Sequence, residues 1–218
     1  MRFLRDNGLS IVLIALWLAT VAGMLITGWS VYARELADHS SAQIGLAAYA
    51  KSGHFFSSLF ENWESEFLQM SAYVMLTAFL FQRGSAESKD PDEQAEQDED
   101  PELKQDDKEA PWPVRVGGFA KWLYSYSLGL ALGLLFLLTF VLHLLYSSEA
   151  ANAEALMHGQ PAASVAEHLV SAQFWFESFQ NWQSEFLSTA VIVVFSIFLR
   201  FRGSPESKPV AAPHAKTG

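Results

Sequence analysis

The sequence predicts an all-α fold: an integral membrane bundle of four transmembrane helices, built as two tandem two-helix repeats related by a pseudo-two-fold axis along the membrane normal. Three observations predict it. Two long runs carry no Asp, Glu, Lys or Arg, the basic residues are distributed very unevenly between the segments that join the runs, and one half of the chain repeats in the other.

The uncharged runs come first. Leu9 to Ala33 and Trp122 to Tyr146 each exceed the roughly 20 apolar residues that cross a bilayer as a helix. They are spans one and three. Span one follows Arg2 and Arg5 and so resembles a signal peptide, but its apolar run is long and lacks a clear small-x-small cleavage site. Spans two and four are shorter, about 67–82 between Glu66 and Arg83 and about 186–199 between Glu185 and Arg200. Fourteen residues rise only about 21 Å as a helix, against a hydrocarbon thickness of about 30 Å. Either the bilayer thins or polar residues enter it.

Lys and Arg set the orientation, because cytoplasmic loops hold them in excess. With both termini and the middle loop inside, twelve basic residues are cytoplasmic and only Arg34 and Lys51 lie outside. Arg83, Arg200 and Arg202 are the anchors of the inner interface in this scheme. The predicted location is a cytoplasmic membrane, with the bilayer itself as the first partner.

Sliding the chain by 119 residues matches 55–89 to 174–208 without a gap, with seventeen of 35 positions identical. The heart of the match is Phe60, Asn62, Trp63, Ser65, Glu66, Phe67 and Leu68 against Phe179, Asn181, Trp182, Ser184, Glu185, Phe186 and Leu187. Arg83-Gly84-Ser85 and Glu87-Ser88-Lys89 then match Arg202-Gly203-Ser204 and Glu206-Ser207-Lys208. The same offset pairs Glu35 and His39 with Glu154 and His158, whereas the starts of spans one and three align more weakly at a shift of 117, Ser10 with Ser127. Each unit crosses twice, so both have one orientation and the duplication is parallel. The predicted organisation is a first repeat over 1–86, a linker over 87–113, a second repeat over 114–208 and a flexible tail over 209–218. Half of the 24 acidic residues fall between Glu87 and Glu109, a composition too charged to bury a core, which predicts a disordered cytoplasmic linker.

The pattern Phe-x-Asn-Trp-x-Ser-Glu-Phe-Leu, followed by a short span and Arg-Gly-Ser-x-Glu-Ser-Lys, resembles a family of small bacterial membrane proteins known only as a domain of unknown function. The resemblance covers nearly the whole chain apart from the acidic linker. It implies a bacterial cytoplasmic membrane and no activity.

Several candidate sites have an ordinary reading beside a functional one. Phe56, Phe60, Trp63 and Phe67, with Trp175, Phe179, Trp182 and Phe186, form apolar stripes at helical spacing. Their ordinary reading, which is preferred, is an interfacial helix lying at headgroup depth before the chain turns inward. The alternative continues that helix into the short span and carries Asn62, Glu66, Asn181 and Glu185 into the bundle, as a polar site or interface. Intramembrane carboxylates mark ion pathways, yet Glu66 and Glu185 stand at helix starts, where a negative charge simply favours the dipole. Glu35 with His39, and Glu154 with His158, are spaced to share a helix face and could supply metal ligands, although surface pairs of this kind are commoner. His143 reads as an interfacial side chain. Arg83-Gly84 and Arg202-Gly203 read as helix ends closed by a left-handed glycine.

Other classes are excluded more simply. There is no cysteine, hence no disulfide or thiolate chemistry, and a net charge of -10 without a basic patch speaks against nucleic acid. No phosphate loop or nucleophile elbow occurs, so no catalytic residue is assigned and the cofactor is unknown. The reading is a structural or accessory membrane protein acting through partner contacts, a second copy or another membrane protein. A cation or proton transporter using Glu66 and Glu185 is the first alternative, and a metal-binding protein or enzyme using the outer His/Glu pairs is the second. Amphipathic helices in the outer loops are expected to cap the bundle.

Overall fold

None of the eight prolines falls inside the long apolar stretches, and in the computed structural model, which describes residues 2–39 and 41–218, those stretches are unbroken helices. Among the described residues the fold is all-α without strands. The helices are α1 (Arg2–Asp6), α2 (Gly8–Asp38), α3 (Leu46–Tyr49), α4 (Gly53–Phe79), α5 (Trp112–Val116), α6 (Gly118–Ser125), α7 (Ser127–Met157), α8 (Val165–Leu169) and α9 (Ala172–Phe198). Two short 3-10 turns, Glu96–Asp98 and Pro101–Lys104, lie in the acidic segment.

The long helices come in two matched pairs. α2 and α7 have 31 residues each, and α4 and α9 have 27 each. Their starts, and those of α3 and α8, are spaced by the same 119 residues. The shift of 117 for the first helix is therefore corrected to 119. The 117 alignment followed a single serine, whereas the helix is set by an apolar run that tolerates most substitutions.

Two of the four long helices, not all four, are both long and apolar enough to cross a bilayer: α2 and α7. α4 and α9 are long enough, since 27 residues rise about 40 Å, but their first halves hold Glu61, Asn62, Glu64 and Glu66, or Glu177, Asn181, Gln183 and Glu185. The aromatic segment does not form a separate surface helix, because α4 and α9 run without interruption from it into the apolar part. Nothing between His54 and Phe79 breaks a helix, neither proline nor glycine. Among the described residues, the segments between α2 and α4 and between α7 and α9 contain only the short α3 and α8, in place of the expected amphipathic caps. α8 is started by a capping box in which Ser164 and Glu167 satisfy each other's backbone N–H groups, and those bonds hold the Glu167 carboxyl below its ordinary value.

The chain divides into two compact units, Met1–Glu61 with Phe140–Trp175, and Asn62–Thr139 with Phe176–Gly218. In the first, the connecting helices α3 and α8 each plug a ring against a long helix at equivalent places. Tyr49 is buried and lies so close to Gly28 that a Cβ there would collide with its hydroxyl. Its counterpart His168, also buried, meets Ser147 Oγ through Nε2 at 2.8 Å. Phe174, fully buried, packs against Phe140, His143 and His168 with ring centroids 5.6, 5.0 and 5.6 Å away.

In the second unit the two Arg-Gly-Ser loops repeat one conformation. Gly84 and Gly203 have φ of 84° and 89°. Ser85 Oγ accepts from the Glu87 N–H, and Ser204 Oγ from the Glu206 N–H, at 3.0 and 3.2 Å. Ser88 Oγ accepts from the Gln82 N–H and Ser207 Oγ from the Phe201 N–H, each at 2.9 Å. The glycines do not close the helices as expected, since α4 and α9 end at Phe79 and Phe198. They serve the turns that follow, where a positive φ favours glycine.

Candidate functional site

The second unit brings polar side chains of α4 and α9 face to face. On α4, Glu66, Gln69 and Tyr73 follow at helical spacings of three and four, and on α9 Glu185 and Thr189 do the same. Glu66 and Glu185 lie within electrostatic range of each other, Glu66 exposed and Glu185 half-buried. One turn further, Gln69 Nε2 donates to Thr189 Oγ1 at 2.5 Å. Beyond that, the Tyr73 hydroxyl donates to Glu87 Oε2 at 3.0 Å, and Ser85 and Ser196 share a bond of 2.8 Å.

The repeated Asn-Trp-x-Ser motif makes this face possible. Ser65 Oγ donates to the Asn62 carbonyl and Ser184 Oγ to the Asn181 carbonyl, both at 2.8 Å, so each serine hides its hydroxyl on its own helix. Asn62 is exposed, whereas Asn181 is half-buried and donates to the Glu177 carbonyl. Trp63 and Trp182 are half-buried, and Trp182 Nε1 donates to Glu64 Oε1 at 2.9 Å.

Glu64 is the residue that sequence reasoning missed. It occupies the variable position of the motif, where the second copy has Gln183, and it is 0% exposed while Glu66 is exposed and Glu185 half-buried. A buried carboxylate is costly without hydrogen-bonding partners, and the Trp182 indole supplies one. The signal in the sequence was the combination of a charge at a variable site with an invariant tryptophan beside it.

Around this face, residues of α4, α9 and the segment after α4 line two open clefts. One of about 360 Å³ lies between α4 and α9, with Gln69, Tyr73, Glu87 and Thr189 as its polar wall. Another of about 750 Å³ shares Tyr73, Thr77, Glu87 and Ser88 and adds Asp90, Glu93 and Asp98. Burial raises the Glu87 carboxyl above its ordinary value, and the nearby negative charge of Glu206 pushes it the same way. These two glutamates are equivalent positions of the repeated loop.

The predicted anchors behave differently from one another. Arg83 pairs with Asp92 at 2.5 Å and holds that carboxyl below its ordinary value. Arg200 donates to the Ser196, Ile197 and Leu199 carbonyls at 3.2, 3.1 and 2.8 Å, which satisfies the end of α9. Arg202 is exposed. Lys208, 2% exposed, is enclosed by the carbonyls of Gly84, Pro213, His214 and Lys216.

In the first unit, Glu35 and Glu154 sit in the last turns of α2 and α7, not in separate loop helices. His39 and His158 follow directly, and each turns its Nδ1 onto a backbone carbonyl, of Glu35 and Glu154, at 3.0 Å. The two imidazoles meet edge to face at 4.9 Å. Among the described residues no group of three or more His, Asp or Glu side chains is arranged to hold a metal ion. His143 is not an interfacial side chain: it is 0% exposed and packed on Phe174, because the ring faces the phenylalanine at the start of α9 and not the helix exterior.

No characterised protein and no solved structure matches the chain. A family profile, in contrast, matches it over residues 1–218. The chain belongs to the family described as a domain of unknown function, DUF6766.

Proposed function

We propose that this is a multi-pass protein of the bacterial cytoplasmic membrane, with both termini in the cytoplasm, formed by tandem duplication of a helical hairpin. Its role in this reading is structural or accessory, exercised through contacts with another membrane protein or a second copy. The observation that carries the membrane reading is the exposure of α2 and α7. Leu13, Leu16, Trp17, Leu18 and Ile26 on α2, and Leu134, Leu137, Leu138 and Val141 on α7, are all exposed. A soluble protein would cover such helices, whereas lipid tails solvate them. The equal lengths and constant spacing of the paired helices support the duplication, and the basic residues support the orientation.

Topology reporters fused after Ala86, Gln160 and Gly218 test this directly. Cytoplasmic activity at the first and last, with periplasmic activity at Gln160, is the expected pattern. Extraction of the untagged protein by alkaline carbonate would refute membrane insertion.

A second reading, cation or proton transport, is favoured by one observation: Glu66 and Glu185 lie within electrostatic reach of each other. Like charges near each other at membrane depth favour a counter-ion or a proton. Flux measured in vesicles should vanish in a Glu66→Gln/Glu185→Gln variant, and unchanged flux would remove this reading.

A further inference from the structure

We propose that the two adjoining clefts of the second unit form one binding site for an aminophospholipid of the inner leaflet, its acyl chain between α4 and α9 and its headgroup over the segment after α4. The proposal rests on the membrane reading above and adds a ligand to it.

Two chemistries adjoin along this face, in the order in which a lipid carries them. The cleft of about 360 Å³ is lined by Leu76, Leu80, Phe81, Phe186, Val193 and Val194, and its volume lies within the range of small-molecule sites. Its polar groups bond to the protein itself. Gln69 Nε2 donates to Thr189 Oγ1, the Thr77 hydroxyl to the Tyr73 carbonyl at 2.9 Å, and the Tyr73 hydroxyl to Glu87 Oε2. A hydrocarbon chain can lie against groups already bonded in this way at small desolvation cost.

The cleft of about 750 Å³ shares Tyr73, Thr77, Glu87 and Ser88 with the first, so one molecule can occupy both. Its charged wall is mixed: the carboxylates of Glu87, Asp90, Glu93 and Asp98 stand beside Lys89. Lys89 is paired with Asp98 at 2.6 Å, which leaves Glu87, Asp90 and Glu93 in excess. That excess opposes an anionic headgroup and favours a cationic one. Glu87 Oε1 is buried, and among the described residues no hydrogen bond reaches it. A buried carboxylate oxygen is costly without a donor, and a headgroup ammonium brings three. Lys89 serves the other half of the headgroup. Its Nζ gives one N–H to the Ala78 carbonyl and one to Asp98, and the third of an ammonium's donors is left for a phosphodiester. Such a wall fits a zwitterion, with the ammonium against Glu87 and Glu93 and the phosphate against Lys89.

In the membrane reading the depths agree with this assignment. The apolar cleft lies beside the span predicted over about 67–82, and the charged one begins at the Arg-Gly-Ser loop, on the side that the basic residues give to the cytoplasm. Leu76, Leu80, Phe81 and Phe186 are exposed, so a chain enters sideways from the surrounding bilayer.

The test places the full-length protein in nanodiscs holding phosphatidylethanolamine and phosphatidylglycerol in equal amounts. The lipids that stay with it on transfer to mild detergent are counted by native mass spectrometry. Wild type should retain phosphatidylethanolamine about tenfold over phosphatidylglycerol, the worth of one charge-assisted contact. Glu93→Gln, at an exposed position, should reduce that preference, and Glu87→Gln/Glu93→Gln should abolish it. Ala190→Trp, which fills the cleft between the helices, should lose both lipids. Melting temperature and carbonate resistance are followed on the same preparations, and Glu93→Gln provides the reading if the double variant does not fold. Carbonate-resistant wild type that keeps no lipid, or keeps the two alike, overturns the site and leaves the membrane reading standing, as does an unaltered preference in Glu93→Gln. Wild type extracted by carbonate overturns the membrane reading itself.

Discussion

The loops Arg83–Lys89 and Arg202–Lys208 have nearly the same sequence and the same backbone, yet their last lysines have different surroundings. Lys89 lies against the Ala78 carbonyl at 3.2 Å and pairs with Asp98 at 2.6 Å, on the acidic segment that follows it. Lys208 is wrapped by the segment that follows it and bonded to the carbonyls of Gly84, Pro213, His214 and Lys216. The loop-internal bonds of Ser85, Ser88, Ser204 and Ser207 are identical because they run between near neighbours. The lysine partners differ because they are supplied by whatever chain comes next. Local hydrogen bonds are shared by the two matching loops, and long-range ones differ.

Substitutions at equivalent positions can break or sharpen this contrast. The largest difference is expected for Lys208→Met against Lys89→Met. Removing Lys208 strips a charge-assisted partner from several carbonyls, at about 1.5–3 kcal/mol, and should lower the melting temperature and open the tail to proteolysis. Lys89→Met removes a partly exposed ion pair and should cost under about 1 kcal/mol. Equal losses in thermal melts would deny the difference in surroundings.

A smaller gap separates Gly84→Ala from Gly203→Ala. Both introduce a Cβ at positive φ, a strain of about 1 kcal/mol or more. At Gly84 the new carbon also meets the His214 carbonyl oxygen at 2.6 Å, while at Gly203 nothing lies within 4 Å. Gly84→Ala should therefore destabilise more in denaturant titrations and release the tail. If the two cost the same, the tail does not dock where the structure has it.

The motif position shared by Glu64 and Gln183 gives a third pair. Glu64→Ala leaves the Trp182 indole N–H without its acceptor, worth about 1–3 kcal/mol, and should shift tryptophan fluorescence. Glu64→Gln, which copies the other repeat, should keep that bond and most of the stability. Gln183→Ala, at an exposed site, should do almost nothing.

The smallest effect is a pH dependence. Because the folded state raises the Glu87 carboxyl above its unfolded value, the folded protein holds this proton more tightly. The contribution to stability is complete below the ordinary glutamate value and is lost as pH rises through the raised one. Glu87→Gln should flatten the stability profile between mildly acidic and neutral pH, and an unchanged slope would place Glu87 in water.

Much of this architecture is legible in residue order. Apolar runs free of proline define α2 and α7, and the 119-residue repeat announces that α4 and α9 are equivalent before any coordinate is known. Glu66 and Glu185 were legible as a matched pair for the same reason. Glu64 was not, since the motif marks it as the position that varies, and Tyr73 was not, since Ile192 stands in its place in the second copy.

The amino-acid sequence by itself determined the two long apolar helices and the match between 55–89 and 174–208, because both are written along the chain in runs and spacings, whereas it put Gly84 and Gly203 at helix ends and the structure has them in the turns beyond. Only the tertiary structure decided that Glu64 is buried beside Trp182, that Tyr73 meets Glu87, and that residues 213–216 enclose Lys208. Helical periodicity assigns side chains to a face, but which face meets another helix depends on packing between residues more than a hundred positions apart, and that packing sets which polar groups lose their water.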